Sequence, residues 1–398
     1  FNPDDKEDFD VDMSGNYAGI GARLQQKIDK ISVVELISGG PAWRQNKLEV
    51  GDVLLKVRQT DEENPVSIVG MRIKDAVKLI KGPIDSSVIL TIKKVDGQIT
   101  ELKIPRDIVQ LEETYAKSSI VEWSNSKYGL INLPKFYFDF EDYSERNAAS
   151  DIKKEIIRLK EEGMEGLILD LRNNGGGGLK PAVDMAGLFI EDGPIVQVQS
   201  FEKKKEILKD RDRSIVWDGP LVILVNELSA SSSEILAAAM QDYKRAIIIG
   251  STQTYGKGTV QNVLDLNRMI KANTNGDMGA FKFTIQKYYR INGGSVQLEG
   301  VKSDVVIPNR YSYIDFGEKE QDNPLEWDKI TAVEYTPWVS NFDYSSAIEK
   351  SKLRIESNEY LKLIDDNAKW IKSIRDNEEF TLNYFTYIDK IKEDELTA

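Results

Sequence analysis

The sequence predicts an α+β multidomain protein: a small α+β module, an α/β core whose sheet is covered by helices, and a helical C-terminal region. Three observations point there. The chain has 398 residues, room for two to four domains at roughly 100–200 residues each. Short strands with one helical stretch fill residues 17–106, and apolar strands alternating with helical stretches fill 107–309. From 310 to 398 the patterns are charged and helical.

The elements follow in order. Residues 1–16 are acidic and read as a solvated lead-in. With neither an initiator Met nor an apolar signal segment, they read as an excised or processed start, which argues nothing about localisation. In the small module, YAGIGARL, ISVVELI, GDVLLKVRQ and SSVILTIKKV read as strands, and MRIKDAVKLI as a helix. Ile73, Ala76, Val77 and Ile80 recur at i, i+3, i+4, i+7 on one helical face, while Val88, Leu90 and Ile92 alternate as in a half-buried strand. The core runs through the strand SKYGLINLP, the helix ASDIKKEIIRLKEEG, the strand GLILDL, a glycine run and the helix LKPAVDMAGLFI. It continues with strand PLVILV, helix SSSEILAAAMQDY and strand RAIIIG. Near-continuous apolar strands of this kind belong to sheets covered on both faces. SSAIEKSKLRIESNEYLKLI and DNAKWIKSIRD predict helices near the C-terminus.

Composition narrows the chemistry. There are 53 Lys and Arg against 66 Asp and Glu, a net charge of −13, which argues against nucleic acid as a partner. Hydrophobic residues make up 40%, too many for a disordered chain. No apolar run approaches the ~18 residues of a membrane span. The absence of His and Cys decides most: it excludes a Ser-His-Asp triad, a thiol nucleophile, and the common His and Cys metal sites. Acid–base work is left to Asp, Glu, Lys and Tyr.

Three stretches could carry chemistry. In Leu169-Asp170-Leu171-Arg172-Asn173-Asn174-Gly175-Gly176-Gly177-Gly178 a strand runs into glycines before a helix. Such a run lets backbone N–H groups face a phosphate or a developing oxyanion, or simply makes a tight turn. In Ser229-Ala230-Ser231-Ser232-Ser233-Glu234, after an apolar strand, one serine could be exposed at a helix N-terminus. Equally, Ser231 and Glu234 could form a capping box. Gly250-Ser251-Thr252-Gln253-Thr254-Tyr255-Gly256-Lys257-Gly258 resembles a phosphate-binding loop, although its glycines are one residue too far apart and Gly258 replaces the Mg²⁺-binding hydroxyl. One reaction unites all three: acyl transfer to a serine, with a neutral lysine as base and glycine amides as oxyanion donors.

The run SASSSEILAAAMQDYKRAIIIG…TYGKGTVQ, preceded by LDLRNNGGG, resembles the tail-specific, or carboxyl-terminal processing, serine proteases, which are PDZ-containing S41-type peptidases with a Ser/Lys dyad. The likeness extends through GIGARL, SGGPAWRQNKLEVGD and KLIKGP upstream and FTIQKYYRINGGSVQLEGVKSDVVIP downstream, from Tyr17 to Pro308. It is strongest toward the periplasmic tail-specific branch, which implies a periplasmic or cell-envelope location. The resemblance implies Ser231 as nucleophile, Lys257 as base and Gln261 as the residue orienting it. It implies oxyanion donors at the backbone amides of Gly176 and Ser232, and supporting roles for Glu234, Asp242 and Thr254. Ser232 stands where family members usually carry Ala.

The same resemblance makes residues 17–106 a PDZ domain, 107–309 the protease core and 310–398 a helical C-terminal region. A PDZ domain takes an extended C-terminal peptide as an added strand and holds its carboxylate in backbone N–H groups. The binding loop would include Gly19, Ile20 and Gly21, with Ile73 and Val77 walling the pocket; the apolar pair fits an internal core equally well. Implied partners are proteins or peptides with apolar C-termini, and no metal or organic cofactor is implied. A catalytically idle PDZ scaffold is the alternative.

Overall fold

The computed structural model describes residues 1–140, 142–202, 204–269, 276–379 and 381–397. The chain divides into two compact units, Ser14–Thr114 and Phe1–Met13 with Tyr115–Ala398.

In the first unit, Ala22–Lys27, Lys30–Leu36, Val53–Gln59, Ser87–Lys93 and Ile99–Pro105 form one antiparallel sheet in that order, leaving Ala22–Lys27 at an edge. Val88, Leu90 and Ile92 are fully buried in its core with Ile31, Leu54 and Ile104, so the alternation reports a real inner face. Asn16–Gly19 pairs with Asp107–Gln110. That pairing carries the unit past the 17–106 expected from sequence, because the strand closing it lies beyond Arg106.

The second unit holds a six-stranded sheet ordered Val305–Val306, Ile247–Gly250, Leu221–Val225, Gly166–Asp170, Ser126–Asn132, Lys117–Trp123. All neighbours are parallel except the last pair. A four-stranded antiparallel sheet runs Lys205–Asp210, Gly193–Ser200, Ala280–Tyr289, Thr259–Asp265. The helix Ser232–Asp242 touches strands of both sheets, and residues Ser232 to Met240 of it are all buried. Burial on every side explains its all-round small and apolar sequence.

Two segments differ from expectation. The lead-in is a helix, Pro3–Ser14, and its Met13 carbonyl accepts from the Phe138 N–H at 3.1 Å. The C-terminal region is helical from Tyr344 onward, as Tyr344–Ser357, Glu359–Arg375 and Tyr384–Thr397. Residues 310–343 instead run mostly without regular structure, and Val333 and Tyr335 from this stretch pack on the core. Pro324 and Pro337 disfavour a helix there. No helix among the described residues is long and apolar enough to cross a membrane.

Candidate active site

The three stretches singled out in the sequence meet because of strand order. Gly166–Asp170, Leu221–Val225 and Ile247–Gly250 are adjacent and parallel, so the loops leaving their C-terminal ends emerge along one edge. That edge is where open α/β sheets bind their ligands.

Ser231 is the residue before the buried helix and has φ 55°, ψ −113°, a region few serines occupy. Its N–H donates to Glu234 Oε2 at 2.7 Å, and its carbonyl accepts from the Tyr288 hydroxyl at 3.2 Å. The Ser-x-x-Glu pairing of a capping box is therefore present, but Ser231 Oγ makes no cap hydrogen bond. The cap and the exposed-serine readings hold at one residue. Ser231 lines a cavity of about 480 Å³. Its neighbours are spoken for: Ser229 Oγ donates to Leu171 O at 2.8 Å and Ser233 Oγ to Asn174 O at 2.9 Å, both inside the core. Ser232 Oγ donates to the carbonyls of Gly177 and Gly178 at 3.1 and 3.0 Å.

The glycine run lies directly against the serine. A Cβ on Gly176, whose φ is +103°, would sit 2.8 Å from both Ala230 O and Ser231 Cβ. One expectation is corrected here. The Gly176 N–H donates to Asn174 Oδ1 at 2.9 Å, so it is not open to an oxyanion. Among the described residues, the N–H groups of Gly175, Gly177 and Ser232 have no acceptor, and all three residues line the cavity that Ser231 lines. Asn174, which sequence reasoning passed over, is fully buried. It fixes the run by accepting from Gly176 and by donating through Nδ2 to Leu133 O at 2.8 Å. An Asn two residues before a glycine, able to bond its own backbone two residues on, was the signal available.

Lys257 lines the same cavity as Ser231, and its Nζ donates to Gln261 Oε1 at 3.2 Å. Glu234 joins the serine and lysine loops. Its carboxylate accepts from the N–H groups of Ser231, Gly256 and Lys257 at 2.7, 2.7 and 3.0 Å and from Thr254 Oγ1 at 2.6 Å. Burial pushes the Glu234 carboxyl up to about 7, against the opposite pull of those four donors. Tyr288 is buried beside it, and that burial holds its phenol well above the usual value. Lys282 also lines the cavity; its amine is held below the usual range by burial first and by the Lys257 charge second.

Asp242 is not brought to this cluster. It ends the helix that Ser231 begins, about 16 Å away at 1.5 Å per residue. There it pairs with Arg290 at 2.6 Å and accepts from Asn292 at 2.8 Å. Arg290 follows the strand that carries Tyr288, so Asp242 reaches the site through that strand. The phosphate-loop reading loses its context, since Thr259–Asp265 after Lys257 is a strand where such a loop needs a helix N-terminus. No group of three or more Asp or Glu residues able to hold a metal occurs among the described residues.

In the small unit, the carbonyls of Ile20 and Gly21 accept from Ala42 and Ile37 at 2.8 and 2.9 Å, while their N–H groups have no acceptor among the described residues. Gly19 ends the strand paired with Asp107–Gln110. Ile20 can contribute to a binding loop only through its backbone, because its side chain belongs to the core. The helical face Ile73, Ala76, Val77, Ile80 divides: Ala76 and Ile80 are buried, while Ile73 and Val77 are half-buried. Gln26 of the edge strand Ala22–Lys27 ties this helix down, accepting from the Ile73 N–H at 3.0 Å.

Comparison with known proteins gives three matches in chain order. A PDZ domain matches residues 9–93, peptidase family S41 matches 127–307, and the C-terminal domain of tail specific protease matches 311–398. The tail-specific protease of Haemophilus influenzae is 37% identical over 96% of this chain and 54% of its own length. The carboxy-terminal processing protease CtpA of Bacillus subtilis is 31% identical over 75% of this chain and 57% of its own. The chain thus spans about half the length of these curated relatives. Among solved structures, a photosystem II D1 C-terminal processing protease is 25% identical with a TM-score of 0.41, covering 73% of this chain and 72% of its own. The PDZ domain of a carboxy-terminal protease from Vibrio cholerae, solved with a peptide, is 38% identical with a TM-score of 0.23, over 24% of this chain and 99% of its own.

Proposed function

Because the chain belongs to peptidase family S41, in its tail-specific branch, we propose that it is a serine endopeptidase that selects protein substrates by apolar C-terminal tails. The observation that carries this reading is one buried carboxylate, that of Glu234, bonded to the backbones of both Ser231 and Lys257. It fixes both residues on one cavity that open backbone amides also line.

In the proposed reaction the neutral amine of Lys257 takes the Ser231 Oγ proton as that oxygen attacks the scissile carbonyl. The carbonyl oxygen, now negative, accepts from the N–H groups of Ser232 and Gly177, which also lie at the positive end of the serine helix. Gln261 orients Lys257. The protonated lysine gives its proton to the departing amine, and water then cleaves the acyl-enzyme by the same path. Ser231 sits in its unusual backbone conformation before substrate arrives, so attack needs no reorganisation of the loop.

Selection belongs to the other unit. The N–H groups of Ile20 and Gly21 are free to hold a terminal carboxylate, and Ala22–Lys27 is an edge strand open to an added strand. Ile73 and Val77, half-buried on the neighbouring helix, would meet the apolar side chains of the tail. The family resemblance motivates a periplasmic or cell-envelope location, which fractionation of the producing cells tests.

Digestion of a casein-type substrate, with and without EDTA and ATP, tests the activity. Proteolysis indifferent to both and lost in Ser231→Ala is expected. Tail binding without any proteolysis would leave an idle PDZ scaffold instead.

A further inference from the structure

We infer that the substrate side chain on the acyl side of the scissile bond enters an aromatic pocket walled by Phe138, Phe140 and Phe9, and that this pocket favours apolar residues over cationic ones. The inference rests on the peptidase reading of Ser231.

The three rings line the same cavity as Ser231. Phe138 is nearest the chemistry. A Cβ placed on Gly178 would lie 2.6 Å from its ring, and Gly178 is two residues from Gly176, which abuts Ser231. Phe138 and Phe140 have ring centroids 4.6 Å apart, and Phe140 and Phe9 5.8 Å apart, a continuous aromatic wall. None of the three is spent on the core: Phe9 and Phe138 are half-buried and Phe140 is exposed. Ile235, one turn into the serine helix, and Val260 extend the apolar lining. With the carbonyl oxygen held by Ser232 and Gly177, the adjoining side chain lies next to Gly178 and its covering ring.

Phe9 comes from the helix Pro3–Ser14, which sequence reasoning took for a solvated lead-in. Its position is fixed, because Met13 O accepts from the Phe138 N–H and Asp12 pairs with Lys135. Charge supplies the second half of the selection. Lys257 and Lys282 face the cavity, with Lys282 Nζ 5.1 Å from the Phe9 centroid. Among the described lining residues the one carboxylate is Asp12, and Lys135 already holds it. A Lys or Arg side chain entering here meets like charge and no open carboxylate, whereas Leu or Phe meets rings.

The test uses the full chain and short fluorogenic peptides identical except for Leu, Phe, Ala or Lys before the scissile bond. Ser231→Ala is the blank, and thermal melts check folding. Wild type should cleave the Leu and Phe peptides with kcat/KM at least about tenfold above the Ala and Lys peptides. Phe9→Ala and Phe138→Leu should each shrink that ratio several-fold; Phe138→Leu keeps an apolar filler should Phe138→Ala unfold. Equal, Ser231-dependent cleavage of all four peptides overturns the pocket and leaves the peptidase reading standing. A preference that both variants retain in full overturns its assignment to these rings. Failure to cleave any peptide in a Ser231-dependent way overturns both readings.

Discussion

At the scale of the residue, four serines between positions 229 and 233 share one functional group and differ only in their partners. Ser229 and Ser233 are sealed in the core and Ser232 clasps two carbonyls, which leaves Ser231 facing the cavity. Ser231→Ala and Lys257→Ala should therefore each lower kcat/KM by about 10⁴-fold or more. The double variant should lose little beyond either, since nucleophile and base act as a unit. Lys257→Arg should not rescue, because a guanidinium with pKa above ~12 cannot serve as base. Glu234 makes a different prediction. Its folded pKa is raised from 4.5 to about 7, so the folded state binds its proton more tightly than the unfolded chain does. The contribution of Glu234 to stability is then fully present below about pH 4.5 and is lost as pH rises through 7. Thermal melts should show a fall in Tm over this window that Glu234→Gln flattens. The same variant should lose activity, because one amide oxygen cannot accept from four donors. The residue types of the site were legible in a chain without His or Cys. The partner of Gly176 was not, because the Asn174 bond exists only once the loop has its conformation.

The element scale concerns how closely the glycine run and the serine helix approach. Gly176→Ala would drive a Cβ into Ala230 O and Ser231 Cβ at a positive φ. It should cost about 1–3 kcal/mol of stability and lower kcat more than it raises KM, as the serine is displaced. Ser232→Ala keeps the N–H and removes the hydroxyl clasp on Gly177 and Gly178, which urea unfolding should register as about 1–2 kcal/mol. Asp242→Ala leaves Arg290 with its buried partner gone and should cost about 3–5 kcal/mol. Because Asp242 is remote from Ser231, kcat measured well below the lowered Tm should largely persist; loss of turnover in a fully folded Asp242→Ala would give Asp242 a role in the chemistry. Strands and helices were readable from their periods, since burial imposes those periods. The helix Pro3–Ser14 was not, because its few apolar side chains, Phe9 and Met13 among them, find partners only across the tertiary structure. The stretch 310–343 was expected to be helical with the rest of the tail, and Pro324 and Pro337 interrupt that pattern.

At the scale of the whole molecule, each unit has its own hydrophobic core, which suits a division between tail recognition and peptide hydrolysis. Holding a substrate by its tail raises the local concentration of the rest of its chain near Ser231. Dependence on the C-terminus should thus be strict, while cut sites are many and chosen only by the pocket beside Ser231. Ile73→Asp should abolish tail-selected proteolysis yet largely spare hydrolysis of a short peptide that reaches Ser231 unaided. If both activities fell together, the small unit would also be setting the alignment of the active site. The most direct test is mass spectrometry of the products from one disordered protein carrying either an apolar or an acidic C-terminus, digested by wild type and by Ser231→Ala. Multiple internal cuts in the apolar-tailed protein alone, all absent with Ser231→Ala, are the expected result. Equal cutting of both substrates would contradict tail selection, and cutting that survives Ser231→Ala would contradict the serine mechanism itself.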